Sequence, residues 1–94
     1  MKLYTKFFNI LSENEINYFA QLEGVIDSVD EYSELQVTKA LDHYNFRLVP
    51  SIPKYTNSLI DAIITYHNML NIRLDFSKSI KTTATINFKI HFAE

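Results

Sequence analysis

Two stretches, Ile72-Arg73-Leu74-Asp75-Phe76 and Ile86-Asn87-Phe88-Lys89-Ile90-His91-Phe92, decide the fold of this chain. In both, an apolar residue alternates with a polar or charged one. A strand sends successive side chains to opposite faces, so a period of two describes a ribbon with one dry face and one wet face. The polar run 77–83 between them predicts a hairpin connection, although it lacks the Asn-Gly or Asp-Gly pair that favours the tightest turns.

Upstream, the period changes. Leu59, Ile60, Ile63, Ile64, His67 and Leu70 recur at helical spacing and cover more than one stripe. That pattern predicts a largely buried helix, capped at Thr56 or Asn57 and running to about Leu70. Residues 46–49 read as a short strand, closed by Pro50 and Pro53, which cannot donate a ladder hydrogen bond. Leu35, Ala40, Leu41 and Tyr44 read as the apolar face of a shorter helix, started by Ser28 with Glu31 or by Ser33 with Gln36, and left at Asn45.

Nearer the N-terminus, Ser12-Glu13-Asn14-Glu15 has the form of a capping box, with Leu11 and Ile16 placed as its hydrophobic staple. Ile16, Phe19, Leu22, Ile26 and Val29 then predict a helix from about Glu13 to the region of Asp27, with Gly24 as a candidate interruption. Residues 2–10, aromatic and apolar with two lysines, lean towards a strand. The expected order is β-α-α-β-α-β-β: one α+β domain over residues 1–94, with a mainly antiparallel sheet and helices packed on one face.

Composition narrows the function classes. Ninety-four residues, 47% hydrophobic with seven Phe and six Tyr, are ample for a packed core. There is no cysteine, so disulfides and thiolate metal sites are excluded. The single glycine, Gly24, excludes the P-loop, the dinucleotide fingerprint, the kinase-type loop and the serine elbow of hydrolases, all of which need several glycines. No apolar run is long enough to span a bilayer, and the N-terminal lysines precede no signal-peptide core. The expectation is a cytoplasmic protein without membrane association.

Candidates for chemistry are sparse. His43, His67 and His91 show no metal-ligand spacing, and no cofactor motif is present. Serines and threonines fall in caps, turns and strand faces, where local hydrogen bonding accounts for them. The expected protein is therefore not an enzyme and carries no metal or cofactor.

Charge is the most informative remaining feature. Between Phe7 and Thr38 there are seven carboxylates and no Lys or Arg, although the net charge of the chain is only −2. Glu23, Asp27, Asp30, Glu31 and Glu34 are the candidate partner-binding set, an acidic helical face that would dock on a basic surface of another protein. A phage or mobile-element inhibitor of a nucleic-acid-handling protein is a natural sub-case. The ordinary alternative is that a helix breaks near Ser28, so that Asp30, Glu31 and Glu34 lie in the first turn of the next one, where acids interact well with the helix dipole.

Arg73, Lys78, Lys81 and Lys89 form the complementary basic set on the C-terminal hairpin and are candidate nucleic-acid contacts. Edge strands also carry lysines to discourage aggregation, which explains them without a ligand. The long C-terminal strand offers two further outcomes: a homodimer formed by edge pairing, or a structural subunit of a larger assembly.

Overall fold

A computed structural model describes residues 13–76 and 85–91 of the chain. Its elements run α1 (Glu13–Val29), β1 (Glu34–Lys39), β2 (Tyr44–Val49), a 3-10 turn (Pro53–Tyr55), α2 (Thr56–Leu70), β3 (Arg73–Phe76) and β4 (Ile86–His91). The four strands form one antiparallel sheet in the order β1-β2-β4-β3. This is the α+β class that the alternating C-terminal pattern predicts, with both helices packed on one face of the sheet. The opening strand expected over residues 2–10, the cap at Ser12 and the 77–83 connection lie outside the described residues.

The period-two pattern maps directly onto the sheet. Leu35, Tyr44, Phe46, Leu48, Ile86, Phe88 and Ile90 are buried beneath the helices. They meet Tyr18, Phe19, Leu22 and Ile26 of α1, and Leu59, Ile63 and Tyr66 of α2. Cross-strand register sets Phe46 opposite Phe88, and their rings stack with centroids 4.8 Å apart. Phe76 lies across from Phe88 on β3, 5.8 Å away. Each such aromatic pair adds about 0.5–1.5 kcal/mol beyond the area it buries.

One element of the expected order changes type. The segment read as a second helix is β1, followed by a tight connection in which the Ala40 N–H bonds the His43 carbonyl at 2.9 Å. Leu35 is buried and Val37 packs against the core, while Glu34, Gln36 and Thr38 are exposed. This is strand alternation, reinforced by β-branched Val37 and Thr38. Leu41, counted towards a helical face, is fully exposed at the turn. Tyr44 opens β2, two residues before the expected start.

Two helix ends also differ from expectation. α1 continues through Gly24 to Val29 without a break. The N-cap of α2 is Tyr55, which makes no side-chain cap bond, and Thr56 is already helical. The far end of α2 follows the usual chemistry: Asn71 is left-handed at φ 57°, and the Ile72 N–H bonds the His67 carbonyl at 3.1 Å.

β4 is flanked by β2 and β3. Both of its backbone edges are therefore used, and a dimer formed by edge pairing of the C-terminal strand lacks the free edge it requires. Among the described residues the sheet edges are β1 and β3. Among the described residues no helix is long and apolar enough to cross a membrane.

Gly24 supplies a direct test of the continuous helix. Its φ is not positive, and a Cβ built there meets nothing within 4 Å. A glycine in a helix interior costs about 0.5–1 kcal/mol relative to alanine. Gly24→Ala is expected to raise unfolding free energy by about that amount in urea titration. A loss of stability would show that the helix is interrupted there.

Candidate functional site

The acidic residues cluster where α1 hands over to β1. Asp30 follows the last helical residue, and its N–H closes the helix on the Ile26 carbonyl at 2.9 Å. Its side chain is buried. The carboxylate accepts the Ser51 N–H at 2.8 Å, the Ser51 hydroxyl at 2.7 Å and the Tyr32 N–H at 3.3 Å. The Asp30 carbonyl in turn accepts the Ser33 hydroxyl at 2.8 Å. Asp30 thus fastens the α1–β1 connection to the segment that leaves β2.

Around this knot lies a cleft of about 250 Å³, lined by Asp27, Asp30, Glu31, Tyr32, Ser51 and Tyr55 among others. Asp27 is half-buried, and its Oδ1 has no hydrogen-bond partner among the described residues. Glu31 and Glu34 are exposed, and Tyr32 projects into solvent with 78% of its surface accessible. The last turn of α1 holds no basic residue. A helix C-terminus carries partial negative charge, so carboxylates there repel it.

The five acids of the candidate set therefore separate into roles. Glu23 is buried within α1 and Asp30 is buried in the loop knot, so neither contributes to a solvent-facing patch. Asp27, Glu31 and Glu34 remain at the corner. The element that follows α1 is a strand, β1, so the favourable first-turn placement of Asp30, Glu31 and Glu34 does not exist. The Asp30–Ser51 pairing spans twenty-one residues. No local sequence signal marks it.

Of the basic set, Arg73 and Lys89 lie on the helix-free face of the sheet, on β3 and β4. Lys78 and Lys81 fall outside the described residues. Near Arg73, the Asp75 carboxylate is shared by Arg73 at 3.3 Å and His91 at 3.2 Å. His43 bonds Asp42 through Nδ1 at 2.7 Å, which holds the Asp42 carboxyl below its ordinary range. Among the described residues no three His, Cys, Asp or Glu side chains gather as a metal ion requires.

A buried pair has the look of acid–base machinery. The Tyr18 hydroxyl donates to His67 Nε2 at 2.6 Å, and His67 Nδ1 donates to the Ile63 carbonyl at 2.7 Å. Both ring nitrogens are satisfied in the neutral imidazole. Burial lowers the His67 pKa and raises that of the Tyr18 phenol well above its usual value. His67 has no solvent-accessible surface, so no substrate reaches it, and the pair acts as a core hydrogen bond between the helices. Tyr18 is likewise a core residue.

No family model matches the chain, and neither does any curated protein or solved structure. The functional reading rests on the site itself.

Two stability predictions follow from these hydrogen bonds. Asp30→Ala leaves the Ser51 donors without their acceptor and should cost about 1–3 kcal/mol, whereas Glu31→Ala and Glu34→Ala should stay within about 0.5 kcal/mol. Equal effects in urea unfolding would remove the distinction drawn between the buried knot and the exposed acids.

For His67 the folded pKa lies below the unfolded one, so the unfolded chain takes up the proton first as pH falls. The contribution is intact above about pH 6.5 and is lost below it, at up to about 1.4 kcal/mol per pH unit, until the folded pKa is reached. The difference in unfolding free energy between parent and His67→Phe should therefore shrink on going from neutral to acid pH. A difference independent of pH would show that the imidazole is not held neutral.

Proposed function

We propose that this chain is a small protein-interaction module that acts by binding rather than by chemistry, and that its acidic corner docks on a basic surface of another protein. The observation that carries this reading is the placement of Asp27 and Glu31 at the negative end of α1, around a cleft, with no basic residue in the helix's last turn and with Glu34 exposed at the start of β1 beyond it. Carboxylates so placed oppose the helix dipole, at about 0.3–1 kcal/mol each at low ionic strength. Folding does not require them there, whereas a cationic partner surface would reverse the sign of the interaction. Exposed Tyr32 supports the same reading, since tyrosine combines a large contact area with a polar tip and is enriched at interfaces.

A nucleic-acid-handling protein is the partner class whose surface best fits such a corner, because that surface is built to meet phosphate charge. An inhibitor that presents carboxylates in place of phosphates is the corresponding role.

The test pairs binding with stability. An arginine-rich model peptide is titrated at low and moderate salt against the parent, against Asp27→Asn/Glu31→Gln, and against Glu13→Gln/Asp61→Asn. Both variants lose two negative charges, and the control pair, Glu13 and Asp61, are exposed like Glu31. The corner variant should lose most of the salt-dependent affinity while the control keeps it. Asp27→Asn alone should unfold at higher temperature than the parent in dilute buffer, with the gain fading as salt is added. Equal binding by the two double variants would reduce the corner to general net charge and end this reading.

A further inference from the structure

The second surface of this molecule is the face of the sheet that the helices leave uncovered. Register places its side chains in rows. Gln36 lies opposite Arg47, and Arg47 opposite Asn87. Thr38, Asn45, Lys89 and Asp75 make the next row across all four strands. His91 and Arg73 pair in the row beyond, where the His43 ring lies 5.5 Å from that of His91. A cleft of about 290 Å³ opens over the first two rows, lined by Gln36, Asn45, Arg47, Asp75, Asn87 and Lys89 among others.

A merely solvated sheet face needs none of this chemistry in particular. Three carboxamides on three adjacent strands each offer a donor and an acceptor. Asn and Gln match base edges in this way, and the Arg fork matches guanine or a phosphate. Asp75 is occupied by Arg73 and His91. Arg47 and Lys89 are exposed, and neither has a carboxylate at ion-pair distance among the described residues. Two cations outside any ion pair among the described residues therefore flank the carboxamides, on a face that also carries Asp75 opposite Lys89 and Glu34 beyond Gln36. The tilted His43 and His91 rings at the end of the face offer planar surfaces for a base.

We infer that this face binds single-stranded nucleic acid, with Arg47 and Lys89 holding phosphates and Gln36, Asn45 and Asn87 meeting base edges. The cations supply the affinity and the carboxamides tolerate mixed sequence. The inference does not rest on Asp27 or Glu31, although Glu34 alternates with buried Leu35 and so lies on this same face, two residues from Gln36. The corner adjoins the start of β1 and the segment after β2, whereas the His43–His91 end lies at the opposite ends of those strands.

The experiment uses fluorescein-labelled DNA and RNA single strands of about twelve nucleotides, within the usual site size of such surfaces. Anisotropy is followed for the full chain from low to moderate salt. Binding should appear at low salt and weaken steeply as salt rises. Arg47→Ala/Lys89→Ala should weaken it about tenfold or more and flatten the slope of log K against log salt by about 1.4, two contacts at about 0.7 each. Lys54→Ala, which removes an exposed cation from the 3-10 turn, should leave affinity unchanged. Side-chain amide resonances of Gln36, Asn45 and Asn87 should shift on titration. No binding by the parent at low salt overturns the inference. So does a double variant that folds and binds like the parent, a Lys54→Ala loss as large as that of the double variant, or shifts that gather at the α1–β1 corner instead.

Discussion

The stack of Phe46 on Phe88 is the contact on which the other features depend. It joins the two central strands at their middle. It also gathers the rest of the core: Phe19 and Tyr18 of α1 lie against Phe46, while His67 of α2 and Phe76 of β3 lie against Phe88. Side chains alternate strictly along a strand, so fixing this pair inward fixes Arg47 and Asn87 outward, and then Asn45 and Lys89. A slip of one residue would drive those polar groups into the core and expose both phenylalanines. The chemistry of the open face is thus set by a hydrophobic contact on the other side.

Legibility of the fold in the sequence follows from how each signal is encoded. β3, β4 and α2 announce themselves because burial on one face imposes a period, and the period is long enough to read. β1 carries the same kind of signal in Glu34-Leu35-Gln36-Val37-Thr38, yet it is short. Leu35, Ala40, Leu41 and Tyr44 imitate a helical spacing across what is really a strand, a turn and the next strand. The imitation fails physically at Leu41, which the turn turns out to solvent. Helix α1 reads through Gly24 because packing of Phe19, Leu22 and Ile26 outweighs a propensity cost of about 1 kcal/mol. Propensity is local, and tertiary burial decides.

The candidate site was legible as composition and only partly as geometry. Seven acids without a base in one third of the chain can be counted in the sequence. Which of them face solvent cannot, because Asp30 finds its partners at Ser51, across two strands, and no spacing rule connects those positions. Glu23 falls on the buried side of α1 for the same reason that its neighbour Leu22 does: a helix pressed between a partner helix and a sheet buries a broad arc. Removing Asp30 and Glu23 sharpens the acidic set rather than dissolving it. Both are explained by the fold, which leaves Asp27, Glu31 and Glu34 as the acids that the fold does not explain.

This division by explanation also orders the rest of the molecule. Lys39 meets Glu15 at 3.9 Å and lies over the Tyr44 ring, while the Tyr44 hydroxyl donates to Glu15. That group ties the end of the β1–β2 hairpin to the first turns of α1. Asp75 satisfies Arg73 and His91. Once such internal pairings are set aside, the charges left over among the described residues include two local groups: Asp27 and Glu31 where α1 ends, and the cations Arg47 and Lys89 on the helix-free face of the sheet, with Glu13, Asp61 and Lys54 exposed elsewhere. Random surface charge tends to find opposite-sign neighbours, because isolated like charges repel and exposed pairs cost little to form. A local excess of one sign biases the orientation in which that patch approaches a charged partner.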